Sequence, residues 1–286
     1  MADTLKFNDD YYDTCPWTAE DDKNLIRDVT HEAGAIALEY FHKVNLKKWE
    51  KSPDNPVSEA DMAVDAYLRD NLTKNRPDYG WLSEETEDDS DRLNCRRLWI
   101  VDPIDGTYGF INNRDDWCIS VALIENGLPI LSCIYAPLRD ELYLAELGGG
   151  ATLNGEKIAV SKCRKIEDAH MMGNPKAILS SNLWPTPWPK GMTITQDNSI
   201  ALRIAQIASG KADTCVTLKP KNDWDMAAAD LILKEAGGTL TTGEGDALHY
   251  NEARPLHAHI VACCPTLKDA VMARVTPALL VDKQVK

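Results

Sequence analysis

Residues 98–107 read Leu98-Trp99-Ile100-Val101-Asp102-Pro103-Ile104-Asp105-Gly106-Thr107, an apolar run cut short by two carboxylates and a Gly-Thr turn. A short apolar run bounded by Pro and Gly predicts a buried strand over Leu98 to Val101. Asp102 and Asp105 then emerge at its end, where loops on a rigid scaffold carry chemistry. Pro103 keeps Asp102 out of helical geometry and lacks a backbone donor, which fixes how the two carboxylates diverge. Gly106 lets backbone approach a ligand closely, so the amides of Gly106 and Thr107 can receive phosphate oxygens. Two readings stand for this motif alone: an acidic turn, or a metal-dependent phosphate site.

Charge narrows the partners. The formal net charge of −14 argues against a nucleic-acid polymer, whose binding rests on Lys and Arg neutralising phosphates. The same field repels small phosphorylated metabolites unless bound divalent cations invert its sign locally. No apolar stretch approaches the ~20 residues that span a bilayer, and the acidic N-terminus lacks the order of a secretory signal. A cytoplasmic protein with no membrane partner is expected. The eight cysteines, at 15, 95, 118, 133, 163, 215, 263 and 264, form no C-x-x-C pair and are read as reduced and structural.

Along the chain, residues 1–17 read as a loosely held acidic arm, 18–164 as an N-terminal α+β domain and 165–286 as a C-terminal α/β domain. Thr18, as N-cap, opens an amphipathic helix to about Phe41 with Ile26, Val29, Ala33 and Ile36 on one face. A second helix begins near Ser58 and carries Ala60, Val64, Tyr67 or Leu68, and Leu72 on one face. Short strands follow at Tyr79 to Ser83 and Leu98 to Val101, both ending in acid. Asn126-Gly127 joins Cys118–Glu125 to Leu128–Tyr135 as a hairpin, and Glu141 to Leu147 extends the meander. Helices at Ser199 to Ser209 and Asp225 to Ala236 alternate with strands near Cys215 to Leu218, Thr239 to Thr241 and Ile260 to Cys263; Gly237 and Gly238 stop the last helix.

Four further features bear on Asp102 and Asp105. Glu84 ends a strand and can face the same cleft. Asp225 stands at a helix start, either as a cap or as a ligand. Lys51 and Asp61 flank the 51–61 connection, where each alone reads as a solvated charge. Together, Lys51 with Pro56-Val57-Ser58-Glu59-Ala60-Asp61, Leu82-Ser83-Glu84-Glu85, the 99–107 segment with Phe110, and Trp224-Asp225-Met226-Ala227-Ala228 running into Glu235-Ala236-Gly237-Gly238 resemble the inositol monophosphatase superfamily. The resemblance runs from about residue 20 to the end.

That resemblance implies a layered α-β-α-β-α sandwich of mixed α/β class, with the active site in the cleft between the N-terminal domain, which carries most ligands, and the C-terminal one. It implies a Mg²⁺-dependent, lithium-sensitive phosphatase, often a homodimer. Glu84, Asp102, the Ile104 carbonyl, Asp105 and Asp225 would hold two or three Mg²⁺ ions. Hard oxygen donors suit that ion, and four crowded carboxylates need cations between them. In the implied mechanism a metal-activated water held by Glu84 and the Thr107 hydroxyl attacks phosphorus. Asp61 orients Thr107, while Asp105, Asp225, Gly106 and Thr107 contact the substrate. None of the six histidines is given a role.

The ester is less constrained. Inositol phosphatases of this superfamily usually follow D-G-T with one residue and then Asn-Phe, whereas this chain has Tyr108-Gly109-Phe110. The segments Ser120–Ile124, Asn126-Gly127, Pro129–Leu131 and Tyr135–Pro137 are more similar to bacterial 3'(2'),5'-bisphosphate nucleotidases. Adenosine 3',5'-bisphosphate is therefore the preferred substrate. Inositol 1-phosphate, histidinol phosphate and fructose 1,6-bisphosphate are the alternatives, and a regulatory binding protein retaining the fold is the non-enzymatic one. Lys51 can contact substrate, and Lys219 and Lys221 can reach a second phosphate or form a solvated loop. The Trp184–Trp188 segment can stack on adenine or cover the core.

Overall fold

The computed structural model describes residues 16–52, 55–180 and 182–285, with side chains described through Leu280. Most of the expected N-terminal arm, residues 1–15, lies outside the described residues. Its last residue is not loose: Trp17 donates from Nε1 to the Tyr79 hydroxyl at 3.2 Å, and the Arg76 guanidinium lies over its ring.

The helices are α1 (Ala19–Tyr40), α2 (Glu59–Asn75), α3 (Thr107–Ile111), α4 (Pro175–Ile178), α5 (Ile200–Ala208), α6 (Asp223–Glu235) and α7 (Lys268–Val285). Strands β1 (Lys48–Ser52) and β2 (Asn55–Ser58) pair as an exposed hairpin ahead of α2. A seven-stranded sheet runs in sequence order through β3 (Gly80–Ser83), β4 (Arg97–Asp105), β5 (Cys118–Glu125), β6 (Leu128–Ala136), β7 (Glu141–Glu146), β8 (Gly150–Leu153) and β9 (Glu156–Lys157). Only β3 and β4 are parallel neighbours in it. The later strands are β10 (His170–Met172), β11 (Thr193–Thr195), β12 (Thr214–Thr217), β13 (Lys221–Asn222), β14 (Thr239–Thr242), β15 (Leu256–His257) and β16 (Ile260–Cys263). Five of them form a sheet in the order β11-β10-β12-β16-β14, and β13 pairs with β15.

Strand alternation builds the layers. On β4, Trp99 and Val101 face α1 and α2, meeting Ile26, Val29, Val64 and Leu68, while Leu98 and Ile100 face the opposite core with α5 and α6. Successive residues of a strand point to opposite faces, so an all-apolar strand is buried on both sides. The five-stranded sheet repeats this: Cys215 and Ala262 join α5 and α6, and Val216 and Val261 join Val271 and Val275 of α7. The result is the expected five-layer α-β-α-β-α order. No helix among the described residues is long and apolar enough to cross a membrane. The seven described cysteines are free; Cys15 lies outside the described residues.

Two boundaries differ from expectation in ways that matter. β4 does not stop at Val101 but continues through Pro103 to Asp105, so both carboxylates lie within the strand rather than on a loop after it. Asp102 Oδ1 accepts the Ile104 N–H at 3.1 Å, and the register against β5 shifts between Asp102 and Asp105. The side chain takes a donor that the ladder would have used, and Pro103 offers none; an irregular strand results, of the kind that re-aims side chains. Secondly, α6 begins at Asp223 rather than Asp225, with Asn222 as N-cap and Asp225 one turn in.

The Trp pair covers core. Trp184 and Trp188 are buried, meet edge to face at 5.2 Å between centroids, and join the cluster under α7. Trp184 Nε1 donates to the Ala177 carbonyl, so its indole is held by packing and a hydrogen bond together.

Candidate active site

The end of β4 and the start of α6 converge. Asp102, Asp105 and Asp225 each offer a carboxylate oxygen, and these oxygens lie within 4.8 Å of one another. Asp102 and Asp105 are buried, and Asp225 nearly so. Asp225 combines both sequence readings: Oδ2 accepts the Asn222 N–H at 2.7 Å, capping α6, while Oδ1 faces Lys221 Nζ at 3.1 Å. The cap therefore fixes the carboxylate's direction.

Glu84, at the end of β3, stands beside this trio rather than in it. Its Oε1 meets Lys51 Nζ at 3.0 Å, and the same ammonium reaches Glu85 Oε1 at 2.8 Å. Lys51, expected to contact substrate, is placed on two carboxylates. Burial opposes its charge, yet Glu84 and Glu85 hold its pKa above the ordinary value. Lys221 is similar: burial opposes, while Asp225 and Asp105 raise it. Lys219 is exposed and lies on the rim of a neighbouring cavity.

The turn after β4 contains Gly106, with φ of 97°, as the N-cap of α3. A side chain there would be strained and crowded, because a Cβ would lie 2.8 Å from the Asp116 carbonyl oxygen and 3.1 Å from the Ser199 nitrogen. The Ile104 carbonyl turns toward the Thr107 hydroxyl at 3.0 Å. That hydroxyl also contacts Asp61 Oδ1 at 2.9 Å, across 46 residues of sequence. Asp61 is more than a helix-face charge: Oδ2 accepts the Ser58 N–H and hydroxyl, closing the capping box of α2.

Sequence reasoning missed the residues that hold Asp105. The Ser199 hydroxyl donates to Asp105 Oδ2 at 2.6 Å and the Ala201 N–H to the same oxygen at 2.7 Å. Ser199 also caps α5 by accepting the Leu202 N–H. A Ser before the apolar run at 200 signals a cap, but nothing local says which carboxylate the cap faces.

Electrostatics test whether cations suit this site. Burial, then Glu84 and Asp105, raise the Asp102 pKa well above the usual carboxylate value. Burial, then Asp225, push Asp105 up to about 6; burial, despite Lys51, pushes Glu84 up to about 7. Crowded buried carboxylates resist ionising together. Hard, anionic oxygens this close fit divalent cations, and the two lysines offset only part of the charge.

A pH prediction follows. A carboxylate whose folded pKa is raised binds more protons when folded than when unfolded, so in EDTA it removes stability as pH rises from its unfolded value, about 4.5, through its folded one. For Glu84 that window runs to about 7. In EDTA, Glu84→Gln is expected to gain Tm over the wild type progressively across this window. Thermal melts at stepped pH check it, and a pH-independent gap contradicts it.

Comparison with known proteins adds the family. The inositol monophosphatase family model matches residues 20–277. The chain is 34% identical over 249 residues to the inositol-1-monophosphatase of Rhizobium meliloti, covering 84% of this chain and 90% of the relative. It is 29% identical over 230 residues to the 3'(2'),5'-bisphosphate nucleotidase CysQ of Haemophilus influenzae, covering 77% and 84% respectively. Among solved structures, the Thermotoga maritima IMPase superposes with a TM-score of 0.74 at 28% identity, covering 91% of this chain and 97% of that one. Matched over most of its length in sequence and in fold, with an acidic cluster fit for cations at its centre, the chain belongs to the inositol monophosphatase family of metal-dependent phosphatases.

Proposed function

We propose that this phosphatase is Mg²⁺-dependent, holds two or three ions on Glu84, Asp102, the Ile104 carbonyl, Asp105 and Asp225, and hydrolyses adenosine 3',5'-bisphosphate. Bound there, Mg²⁺ supplies Lewis-acid charge to the phosphate oxygens and acidity to water. The chain's own groups do the rest. The Thr107 hydroxyl has one proton and two acceptors, Asp61 Oδ1 and the Ile104 carbonyl. When its proton lies toward Asp61, its lone pairs are open to a water's proton. Burial raises the Asp61 pKa and makes Oδ1 a better proton acceptor. The Gly106 and Thr107 amides, at the turn into α3, are placed to receive phosphate oxygens.

The observation that carries the choice of ester is a cavity of about 660 Å³ beginning at Lys221, beside Asp225. Leu183, Trp184, Val216 and Leu218 line one part of it, Asn174, Asn182, Gln196, Arg203 and Thr217 another, and Lys219 stands on its rim. Its size and its apolar part suit a flat base, its amides can bond the base's edge, and Lys219, Lys221 and Arg203 supply positive charge for a second phosphate. Inositol 1-phosphate is the second reading, supported by the name and 34% identity of the Rhizobium relative.

Phosphate release at fixed Mg²⁺, with EDTA controls, compares the two esters. A preference of about tenfold in kcat/KM for the nucleotide, or about 1.4 kcal/mol, is expected; preference for inositol 1-phosphate overturns the assignment. Lys219→Ala then raises KM for the bisphosphate and spares inositol 1-phosphate. Lys221 is unsuited to that test, because its ammonium rests on Asp225.

A further inference from the structure

Opposite the Ser199–Asp105 contact, a second carboxylate grips the same end of α5. Asp116, 1% exposed, lies just ahead of β5. Its Oδ2 accepts the Asn198 N–H at 3.0 Å, the Asn198 Nδ2 at 2.8 Å and the Arg114 guanidinium. Its backbone carbonyl accepts the Ser199 N–H at 3.1 Å and abuts Gly106. Asn198 and Ser199 are thus held by Asp116 on one side, while Ser199 and Ala201 hold Asp105 on the other.

Gly109 makes room for this clamp. A Cβ on residue 109 would overlap Asp116 Oδ1 and come within 3.1 Å of Asn198 Nδ2. Oδ1 has no hydrogen-bond partner among the described residues; it lies against bare glycine backbone. Any larger residue at 109 must displace the carboxylate, and with it the first residues of α5.

We infer that Asp116 is a positioning residue, seated in the space left by Gly109, that sets the place of Asp105 through Asn198 and Ser199. It stands outside the cluster of Asp102, Asp105 and Asp225 and acts on it through Asn198 and Ser199. Groups that orient a metal ligand from behind change metal affinity when lost, commonly by about 10–100-fold. The departure from Asn at residue 109, noted in the sequence, thereby acquires a physical partner in Asp116.

The inference rests on the reading of Asp105 as a metal ligand, so the test includes a readout independent of metal. Wild type, Gly109→Ala, Asp116→Ala and the double variant are compared by Mg²⁺ titration calorimetry, by KM at saturating Mg²⁺, and by urea unfolding in EDTA. Both single variants are expected to weaken Mg²⁺ binding by about tenfold or more with KM within about twofold. The added methyl should lower stability in EDTA when Asp116 is present and leave it unchanged once the carboxylate is gone, because neighbouring groups couple. Additive losses in EDTA overturn the clamp, as does unaltered Mg²⁺ affinity in both single variants. If the wild type itself binds no Mg²⁺, the metal-site reading fails, and the EDTA cycle alone decides whether Asp116 and Gly109 are coupled. Should Asp116→Ala fail to fold, Asp116→Asn replaces it for Mg²⁺ affinity and KM only, since its amide loses the charge that Arg114 and Asn198 share but keeps the atom that meets residue 109. Unaltered Mg²⁺ affinity in Asp116→Asn and Gly109→Ala then overturns the inference.

Discussion

Asp102→Asn abolishes metal-dependent phosphate release and, in EDTA, raises the melting temperature. Asp102 is the most enclosed member of the cluster, and its ionised form is opposed by burial, Glu84 and Asp105. Removing one charge relieves that repulsion in the metal-free protein, so its stability rises. The same change replaces an anionic carboxylate that faces both Asp105 and Asp225 with a neutral amide having a single oxygen, a poor ligand for a hard divalent cation. Loss of a group that organises charge at the reacting centre costs about 10³-fold or more in kcat/KM, roughly 4 kcal/mol. Melts with and without Mg²⁺ separate the two effects. The wild type gains Tm with Mg²⁺, and the variant starts higher and gains little. An undiminished gain in the variant would remove Asp102 from the metal site.

The second large effect is expected at Asp61, where one carboxylate serves two elements. Oδ2 closes the cap of α2 and Oδ1 holds the Thr107 hydroxyl. Asp61→Ala should lower kcat by about 10²–10⁴-fold, the usual worth of a positioned proton acceptor, with little change in KM. It also loses the cap, worth about 1 kcal/mol. Ser58→Ala separates these contributions, because it loses the Ser58 hydroxyl and leaves Oδ1 on Thr107. Lower stability with kcat within about threefold of wild type is expected for Ser58→Ala. If it reduces kcat as far as Asp61→Ala does, the proton relay is wrong and the cap alone accounts for the loss.

Much of the architecture was legible in local pattern. Thr18 and Ser58 do cap α1 and α2. Asn126 and Gly127 adopt φ of 50° and 79°, the left-handed pair that a two-residue hairpin turn demands. Gly237, with φ of 88°, follows α6. Each of these features is decided within a few residues of chain. The end of β4 departs from the local signal for a related reason: Pro103 marks a strand's end locally, yet the neighbouring β5 pairs with Asp105 and carries the strand past it.

What the sequence determined by itself was therefore the set of elements, their apolar faces and the residue types able to hold a cation and a phosphate. The tertiary structure alone decided which of those groups meet. It joined Asp225 to Asp102 and Asp105, set the Ser199 hydroxyl on Asp105 across 94 residues, turned Lys51 onto Glu84 and Glu85, and placed Asp116 in the space beside Gly109. Capping and turn formation depend on contacts a few residues apart, which pattern encodes. A carboxylate's partners across a layer boundary depend on how two sheets and the helices between them pack, and no short stretch of sequence carries that geometry.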